Sequence, residues 1–275
     1  MEIKVLGSVS PYCKGNKNCP GFLVIEGKEK VLLDCGNGST SQMSMPEDLE
    51  NLTIIISHLH KDHYGDLLSI AYASYVYHKL GYLDKKIPVY LPKPSFMKGE
   101  NNTPDIDKAK KGMESEIMDY DFLTHLGKEQ YLEFRTYDDS SKIQIGQMQL
   151  TFSKNPHPTK TYSTKITTEK ESIVYTSDTG YEKNTIESFA RGVDLLICES
   201  TFIRGQQKKE DFHLYAYEAG VIAKRAEVKQ LVLTHFWPEL NKSLYAEEAK
   251  EEFSNTIVAK EGKYLKIKNN NKIEN

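Results

Sequence analysis

The chain has 275 residues, 39% of them hydrophobic and 27% charged, with a formal net charge of −3, as expected of a globular protein that buries a full core. No apolar run approaches the roughly 18 residues of a membrane span, and the N-terminus lacks a signal-peptide pattern, so we expect a cytoplasmic protein without a membrane partner. The acidic balance argues against long nucleic acid as a partner, because that binding depends on many Lys and Arg contacts with phosphates.

The hydrophobic pattern predicts strands first and then alternating strands and helices. Strands are predicted at Ile3 to Gly7, Gly21 to Glu26, Lys30 to Asp34, Leu52 to Ser57, Pro88 to Leu91, Tyr131 to Thr136, Lys142 to Ile145, Met148 to Ser153, Ser172 to Ser177, Asp194 to Cys198 and Gln230 to Thr234. Helices are predicted at Gly65 to Leu80, Thr185 to Gly192, His213 to Ala226 and Ser243 to Phe253. This order favours an α/β protein with two sheets packed face to face and helices outside.

Two segments depart from this pattern. The span from Pro92 to Lys128 is rich in proline and charged residues and is predicted to be an insertion, since long loops of this kind are usually functional or disordered. The Asn- and Lys-rich end from Lys266 to Asn275 is predicted to fray. We therefore expect one domain over residues 1–265, with an inserted segment at 92–128 that is a candidate lid or dimer element, and a flexible tail at 266–275.

The most informative segment is the run from Ser57 to Asp66. Within six consecutive residues it contains His58, His60, Asp62 and His63. It follows a β-branched apolar run and precedes a helical pattern, which places it on a tight strand-to-helix loop. Imidazole and carboxylate are the ligands that borderline divalent cations such as zinc prefer. The segment therefore predicts a metal site rather than a polar loop with accidental histidines.

Three further residues of these types stand where a predicted strand has just ended. His157 follows its strand after a short gap, whereas Asp178 and His235 follow theirs directly. Side chains at the same ends of neighbouring strands can converge without a long reach. We predict that these three residues complete a pair of metal sites with the first cluster.

These segments, in this order, resemble the metallo-β-lactamase superfamily, and within it the phosphodiesterase branch that includes ribonuclease Z. The matching segments are Leu33 to Gly38, His58 to His63, His157, Thr176 to Thr179, Asp194 to Phe202, His213 with Glu218 and Ala219, and Leu233 to His235. The resemblance implies an αββα sandwich of two mixed β-sheets flanked by helices. It also implies two divalent metal ions, zinc or alternatively manganese. The ligands it implies are His58, His60 and His157 for one ion, Asp62, His63 and His235 for the other, and Asp178 between them.

The resemblance assigns catalytic roles to Asp62, which is also a metal ligand, and to His213. A histidine in the position of His213 is similar to the general acid of the ribonuclease Z branch and is absent from the β-lactamases; a helix-capping residue is the alternative. Glu199 and Asp34 would each orient a histidine of the site, as carboxylates around metal centres commonly do.

The spacing between two of these residues bears on the substrate. Ribonuclease Z carries an arm that grips tRNA between the positions matching His157 and Asp178, and here only 20 residues intervene. Compact relatives without this arm include phage and bacterial enzymes that open 3′,5′-cyclic mononucleotides, notably the anti-Pycsar proteins. The loop from Gly7 to Cys13 and the segment from His235 to Glu239 resemble that group.

The resemblance therefore implies a metal-dependent phosphodiesterase that hydrolyses 3′,5′-cyclic mononucleotides to nucleoside 5′-monophosphates and counters cyclic-nucleotide immune signalling. The alternatives are a tRNA 3′-processing endonuclease of the ribonuclease Z type, and a lactonase, thioesterase or β-lactamase on the same fold. A third alternative is a protein that sequesters a nucleotide without catalysis. The compact relatives are homodimers, so a homodimer is expected.

Four aromatic residues near the predicted ligands are candidates for stacking a nucleobase, with core packing as the alternative for each. They are Tyr64, Tyr162, Phe236 and Trp237. The cysteines give a weaker signal. Cys13 and Cys19 flank a turn-rich loop and are interpreted as two reduced thiols, with a disulfide or a metal site as alternatives.

Overall fold

The computed structural model describes residues 1–94, 97–98, 103–104, 118–123, 125, 131–206 and 211–267. Among these residues, no helix combines the length and the apolar character that crossing a membrane requires. The strands are β1 (Glu2–Gly7), β2 (Gly21–Glu26), β3 (Glu29–Leu33), β4 (Leu52–Ile55), β5 (Ile87–Pro92), β6 (Met97–Lys98), β7 (Thr103–Pro104), β8 (Leu132–Tyr137), β9 (Lys142–Ile145), β10 (Met148–Lys154), β11 (Tyr162–Thr167), β12 (Ser172–Tyr175), β13 (Leu195–Glu199), β14 (Gln230–Thr234), β15 (Thr256–Val258) and β16 (Tyr264–Lys266).

The strands form two seven-stranded mixed sheets, with β6 and β7 as a separate two-stranded ribbon. The first sheet has the order β16-β1-β2-β3-β4-β5-β8, antiparallel from β16 to β3 and parallel from β3 to β8. The second has the order β15-β14-β13-β12-β11-β10-β9, antiparallel from β9 to β12 and parallel from β12 to β15. Each sheet therefore joins an antiparallel half to a parallel half.

Helices cover the outer face of each sheet. They are α1 (Lys61–Tyr64), α2 (Leu67–Lys79), α3 (Thr185–Phe189), α4 (Ala216–Arg225) and α5 (Lys242–Lys250), with two short 3-10 turns at Ser39–Gln42 and Glu47–Leu49. Residues 118–123 are also helical.

Alternate residues of the strands pack into different layers of the core. In β13, Leu195 and Ile197 join the cluster between the two sheets, whereas Leu196 packs with Ala219 and Ile222 of α4 on the outside. This alternation follows from the period of two along a strand. The first sheet is covered on its outer face by α2 in the same manner. The predicted αββα sandwich is thereby confirmed.

Besides the two-residue strands β6 and β7, three strands of the seven-stranded sheets escaped prediction: β11, β15 and β16. β11 contains the buried polar residues Ser163 and Thr164, so it lacks an apolar alternation, and the other two have only three residues each. Strand β16 still includes Lys266, where the tail was predicted to begin. Residues 268–275 and most of the predicted insertion at 92–128 lie outside the described residues.

Candidate metal centre

The first four candidate ligands lie where β4 ends and α1 begins. An irregular segment carries His58 and His60, and α1 carries Asp62 and His63. The turn after β3 contacts this loop closely, since a Cβ on Gly36 would lie 2.1 Å from the carbonyl oxygen of Asp62. Glycine permits this approach because it has no Cβ, so the turn holds the loop in position.

The other three candidate ligands come from the second sheet. His157 follows β10, Asp178 follows β12 and His235 follows β14. Ser177 and His235 have φ values of 55° and 62°. Positive φ is uncommon for residues other than glycine, and such strain clusters at functional sites. Both sheets thus contribute to one cluster of side chains.

Asp178 lies at the centre of this cluster. Its Oδ2 is 3.5 Å from Nε2 of His58 and 3.9 Å from Nε2 of His157. Its Oδ1 is 3.1 Å from Nε2 of His63 and 3.0 Å from Nε2 of His235. Each carboxylate oxygen therefore faces a different pair of imidazoles, an arrangement that would let Asp178 contribute to both candidate ligand sets.

The structure brings together all seven predicted ligands. Nδ1 of His60 is 3.4 Å from Nε2 of His157, and Oδ2 of Asp62 is 3.7 Å from Nε2 of His63. The ligand atoms form groups whose members lie within 4.8 Å of one another. These groups are His58, His60, His157 and Asp178; Asp62, His63 and His235; and Asp178, His213 and His235.

The chemistry of the cluster fits a cation. Nε2 of His58 is buried and has no hydrogen-bond partner among the described residues. An orphaned buried polar atom costs about 1–3 kcal/mol, which coordination would offset. Burial lowers the pKa values of His58, His60 and His157 to about 4, so these rings are neutral near pH 7, as a metal ligand must be. The cluster is able to bind metal.

Polar groups outside the cluster hold the imidazole rings through their second nitrogen. The Nδ1 atom of His58 lies 3.0 Å from Oγ of Ser57, and that of His63 lies 2.7 Å from Oδ2 of Asp34. The Nδ1 atom of His157 lies 3.1 Å from the carbonyl oxygen of Phe212, and that of His235 lies 2.8 Å from Oγ1 of Thr201. Such contacts fix the tautomer and the orientation of a ligand. Sequence reasoning predicted the role of Asp34 and missed those of Ser57 and Thr201.

Further contacts position two carboxylates. The Ser10 hydroxyl donates to Oδ2 of Asp62 at 2.6 Å, a contact that nothing in the sequence signals. Asp34 is fully buried and accepts from the hydroxyls of Ser57 at 2.8 Å and Tyr175 at 2.7 Å, besides its contact with His63. Asp34 therefore connects the first sheet, the motif loop and the second sheet.

His213 lies at the rim of the cluster and is fixed by Glu199. Nδ1 of His213 is 2.9 Å from Oε1 of Glu199, and its ring stacks on that of His235 with centroids 5.3 Å apart. Its side chain is 25% exposed, against 4% for His235. Burial would lower the pKa of His213, but the Glu199 carboxylate raises it to about 9.

Helix α4 begins three residues after His213, and the capping interpretation of that residue is wrong. Glu218 accepts a hydrogen bond from the backbone N–H of Tyr215 at 2.8 Å, so Tyr215 occupies the N-cap. Glu199 is fully buried and also accepts from the backbone N–H of Thr179 at 2.9 Å. The predicted contact of Glu199 with a histidine is thus to His213.

Three of the four aromatic candidates do not present a ring to the site. Tyr162 and Phe236 are 2% and 0% exposed and belong to the hydrophobic core, so stacking a base on them is excluded by burial. Tyr64 is 7% exposed, and its hydroxyl is hydrogen-bonded to Asp119. Trp237 is 37% exposed and remains accessible.

The thiols of Cys13 and Cys19 are both free, with their sulfur atoms 3.9 Å apart. Cys13 is exposed, and its Sγ lies 2.8 Å from the carbonyl oxygen of Asn37. Burial raises the pKa of Cys19, which keeps that thiol protonated. These contacts agree with the interpretation of two reduced loop thiols.

A cavity of about 470 Å³ opens beside the cluster. His60 and Asp62 line it where it meets the candidate ligands, and Lys61, Asp119 and Lys160 supply charged groups to its wall. Cavities that bind small molecules occupy about 300–1,000 Å³. The cavity therefore has the size of a small-molecule site and direct access to the cluster.

The family described as the β-lactamase superfamily domain matches residues 29–236, more than half of the chain. The chain belongs to this family, which confirms the resemblance at the level of the superfamily. A similar relative is the probable metallo-hydrolase YhfI of Bacillus subtilis, 28% identical over 236 residues that cover 86% of each chain. Ribonuclease Z of Archaeoglobus fulgidus is 25% identical over 308 residues, covering 97% of each chain.

Solved structures share the fold. The crystal structure of the metallo-β-lactamase fold protein YhfI from Bacillus subtilis has a TM-score of 0.77 and 26% identity, covering 96% of this chain and 98% of that one. A new diphosphatase from the PhnP family has a TM-score of 0.69 at 17% identity, covering 97% of this chain and 98% of that one. At 17% identity, the likeness to the diphosphatase concerns the fold alone.

Replacing Asp34 tests the contacts that hold the motif. Asp34→Asn keeps the shape and tolerates the φ of 58° at this position, but removes the charge beside His63. We expect the metal dissociation constant to rise by about 10- to 100-fold, measured by competition with a chromophoric chelator. Asp139→Asn, in an exposed turn, is the matched control. Equal affinities for both variants would contradict the role given to Asp34.

Substitutions of the adjacent residues Phe236 and Trp237 distinguish a role in core packing from a role in base stacking. Phe236→Ala is expected to lower the free energy of unfolding by about 3–5 kcal/mol because it empties a buried site. Trp237→Ala, one residue later and partly exposed, should lower it by only about 1 kcal/mol. Urea unfolding at equal metal loading measures both. A Phe236→Ala protein of normal stability that had lost nucleotide binding would restore the stacking interpretation.

Proposed function

We propose that the protein is a dinuclear metal-dependent phosphodiesterase that hydrolyses 3′,5′-cyclic mononucleotides to nucleoside 5′-monophosphates. The observation that carries this proposal is the combination of the His/Asp cluster with His213, which Glu199 holds at the rim. Phosphodiester hydrolysis needs both positive charge at the phosphate and a proton donor for the departing alkoxide. A binding protein without catalysis has no need of the second.

The seven clustered residues would hold two divalent ions, zinc or manganese. When bound, these ions would lower the pKa of water and stabilise negative charge on the phosphate as the diester opens. Their four positive charges exceed the two negative charges of Asp62 and Asp178, so the occupied site would stay positive. A positive site of this kind favours a monoanionic diester over a neutral ester.

The protein's own residues supply orientation and a proton. Asp62, held by the Ser10 hydroxyl at 2.6 Å, would orient the attacking water. The Nδ1 of His213 is engaged by Glu199, so Nε2 is the nitrogen that would give a proton to O3′ as its bond to phosphorus breaks. A ring nitrogen of His213 lies within 4.8 Å of the ligand atoms of Asp178 and His235, so this proton donor would lie beside a phosphate bound at the cluster.

The size of the site supports a mononucleotide over tRNA. Ribonuclease Z is the second candidate, favoured by the relative from Archaeoglobus fulgidus that covers 97% of this chain. All residues between His157 and Asp178 are described, and they form a short loop, β11 and β12 within the sheet. The tRNA-gripping arm that the resemblance places there has no counterpart in this stretch, whereas the cavity of about 470 Å³ fits a small molecule.

Replacing His213 separates proton donation from metal binding. We expect His213→Ala to lower turnover by about 10²- to 10³-fold, the usual contribution of a general acid, while elemental analysis finds normal metal content. His60→Ala should lose metal and activity together. His78→Ala, on α2, serves as the control for removal of an imidazole. Loss of metal from His213→Ala would show that this residue is a ligand instead.

A panel of substrates tests the reaction class. Metal-loaded protein is incubated with the 3′,5′-cyclic forms of AMP, GMP, CMP and UMP, with precursor tRNA, with a lactone, with a thioester and with a β-lactam, and products are separated by chromatography. We expect nucleoside 5′-monophosphates from the cyclic nucleotides. Cleavage of precursor tRNA alone would favour the ribonuclease Z alternative. Turnover confined to the carbonyl substrates would overturn the proposal, and tight nucleotide binding without product would indicate sequestration.

A further inference from the structure

The cavity beside the cluster contains a carboxylate that the proposed reaction does not use. Asp119 lies on the helical segment 118–123 and lines the cavity together with His60 and Asp62. Its side chain is 17% exposed. A substrate whose phosphate lies at the cluster would place its remaining atoms in this cavity, where Asp119 is within its walls.

Two donors from the metal motif's own helix hold this carboxylate. The Lys61 ammonium is 3.2 Å from Oδ1 and 3.0 Å from Oδ2 of Asp119, and the Tyr64 hydroxyl is hydrogen-bonded to the same group. Lys61 and Tyr64 both belong to α1, which also carries Asp62 and His63. The helix that carries two of the candidate ligands therefore also holds Asp119 in position.

The carboxylate keeps capacity for a ligand. An ionised carboxylate offers about four acceptor positions and no donor, and Lys61 and Tyr64 fill only part of them. Such a group accepts hydrogen bonds from exocyclic amines and ring N–H groups, as acidic side chains do with N4 of cytosine. If the base carries a carbonyl oxygen at the same position, the Asp119 carboxylate and that carbonyl are both acceptors, so no hydrogen bond forms between them.

We propose that Asp119 is a specificity-determining residue of the cavity, which selects a nucleobase bearing an exocyclic amine over one bearing a carbonyl at the same position. This inference rests on the proposed function. Tyr64, interpreted from sequence as a stacking residue, then acts as a positioning residue for Asp119. The pair of cytosine and uracil isolates the effect, because the two bases differ at this edge by an amine in place of a carbonyl.

The experiment compares cytidine and uridine nucleotides in metal-loaded wild type, Asp119→Asn and Asp121→Asn. Asp121 is exposed on the same helical segment and does not line the cavity, so it controls for the loss of one charge. Two readouts are measured: kcat and KM for the 3′,5′-cyclic forms of CMP and UMP, and equilibrium dialysis of 5′-CMP and 5′-UMP, which needs no catalysis.

We expect wild type to favour the cytidine nucleotide by about tenfold to a hundredfold. In Asp119→Asn the ratio should fall to about one or invert, since the amide can donate to the uracil carbonyl. The change should appear in KM more than in kcat, as for an interaction made equally with substrate and transition state. Asp121→Asn should keep the wild-type ratio.

The outcomes separate this inference from the proposal on which it rests. Hydrolysis of both diesters with no base preference, or with a preference that Asp119→Asn leaves unchanged, would overturn the inference and keep the phosphodiesterase. Failure of wild type to hydrolyse either diester would overturn the proposed function. An unchanged ratio of 5′-CMP to 5′-UMP affinity in Asp119→Asn would overturn the inference whatever the activity.

Discussion

The carboxylate of Asp178 is the group on which the candidate centre depends. It is 2% exposed, and its oxygens lie between two pairs of imidazoles. Burial would raise the pKa of Asp178, but the neighbouring rings of His235 and His63 hold it well below its usual range. A buried charge persists only where such partners surround it. The ends of β4, β10, β12 and β14 must therefore meet within a few ångströms, and the packing of the two sheets is what brings them there.

Most of the fold could be predicted because buried strands carry their signal in the sequence. Runs such as Ile54 to Ile56 and Leu231 to Leu233 are apolar, short and followed by polar residues. β11 gave no such signal, because its buried hydroxyls are paired by contacts that only the fold creates. Ser163, for example, donates to Oδ1 of Asn155 at 2.7 Å. A prediction from hydrophobic periodicity misses a strand whose buried residues are polar and have their hydrogen bonds satisfied by other parts of the fold.

The candidate ligands could be predicted from residue type and position, whereas the residues that orient them could not. Serine and threonine occur throughout the chain, so the contacts of Ser10 with Asp62 and of Thr201 with His235 depend on how distant loops meet. Three of the four aromatic candidates failed for a related reason. Phe236 adjoins His235 in the sequence, but its ring packs into the core.

The division of the candidate ligands between the two sheets has a thermodynamic consequence. Four of the side chains belong to the N-terminal half of the chain, which forms the first sheet except for β16, and three belong to the half that forms the second. A cation bound by both halves has no comparable site in the unfolded chain, so its binding free energy adds to the free energy of unfolding. Any substitution that loosens the contact between the sheets would then also weaken ion affinity, even when it lies far from every ligand. In such a protein, a measurement of thermal stability and a measurement of metal retention both report on the linked equilibrium of folding and metal binding.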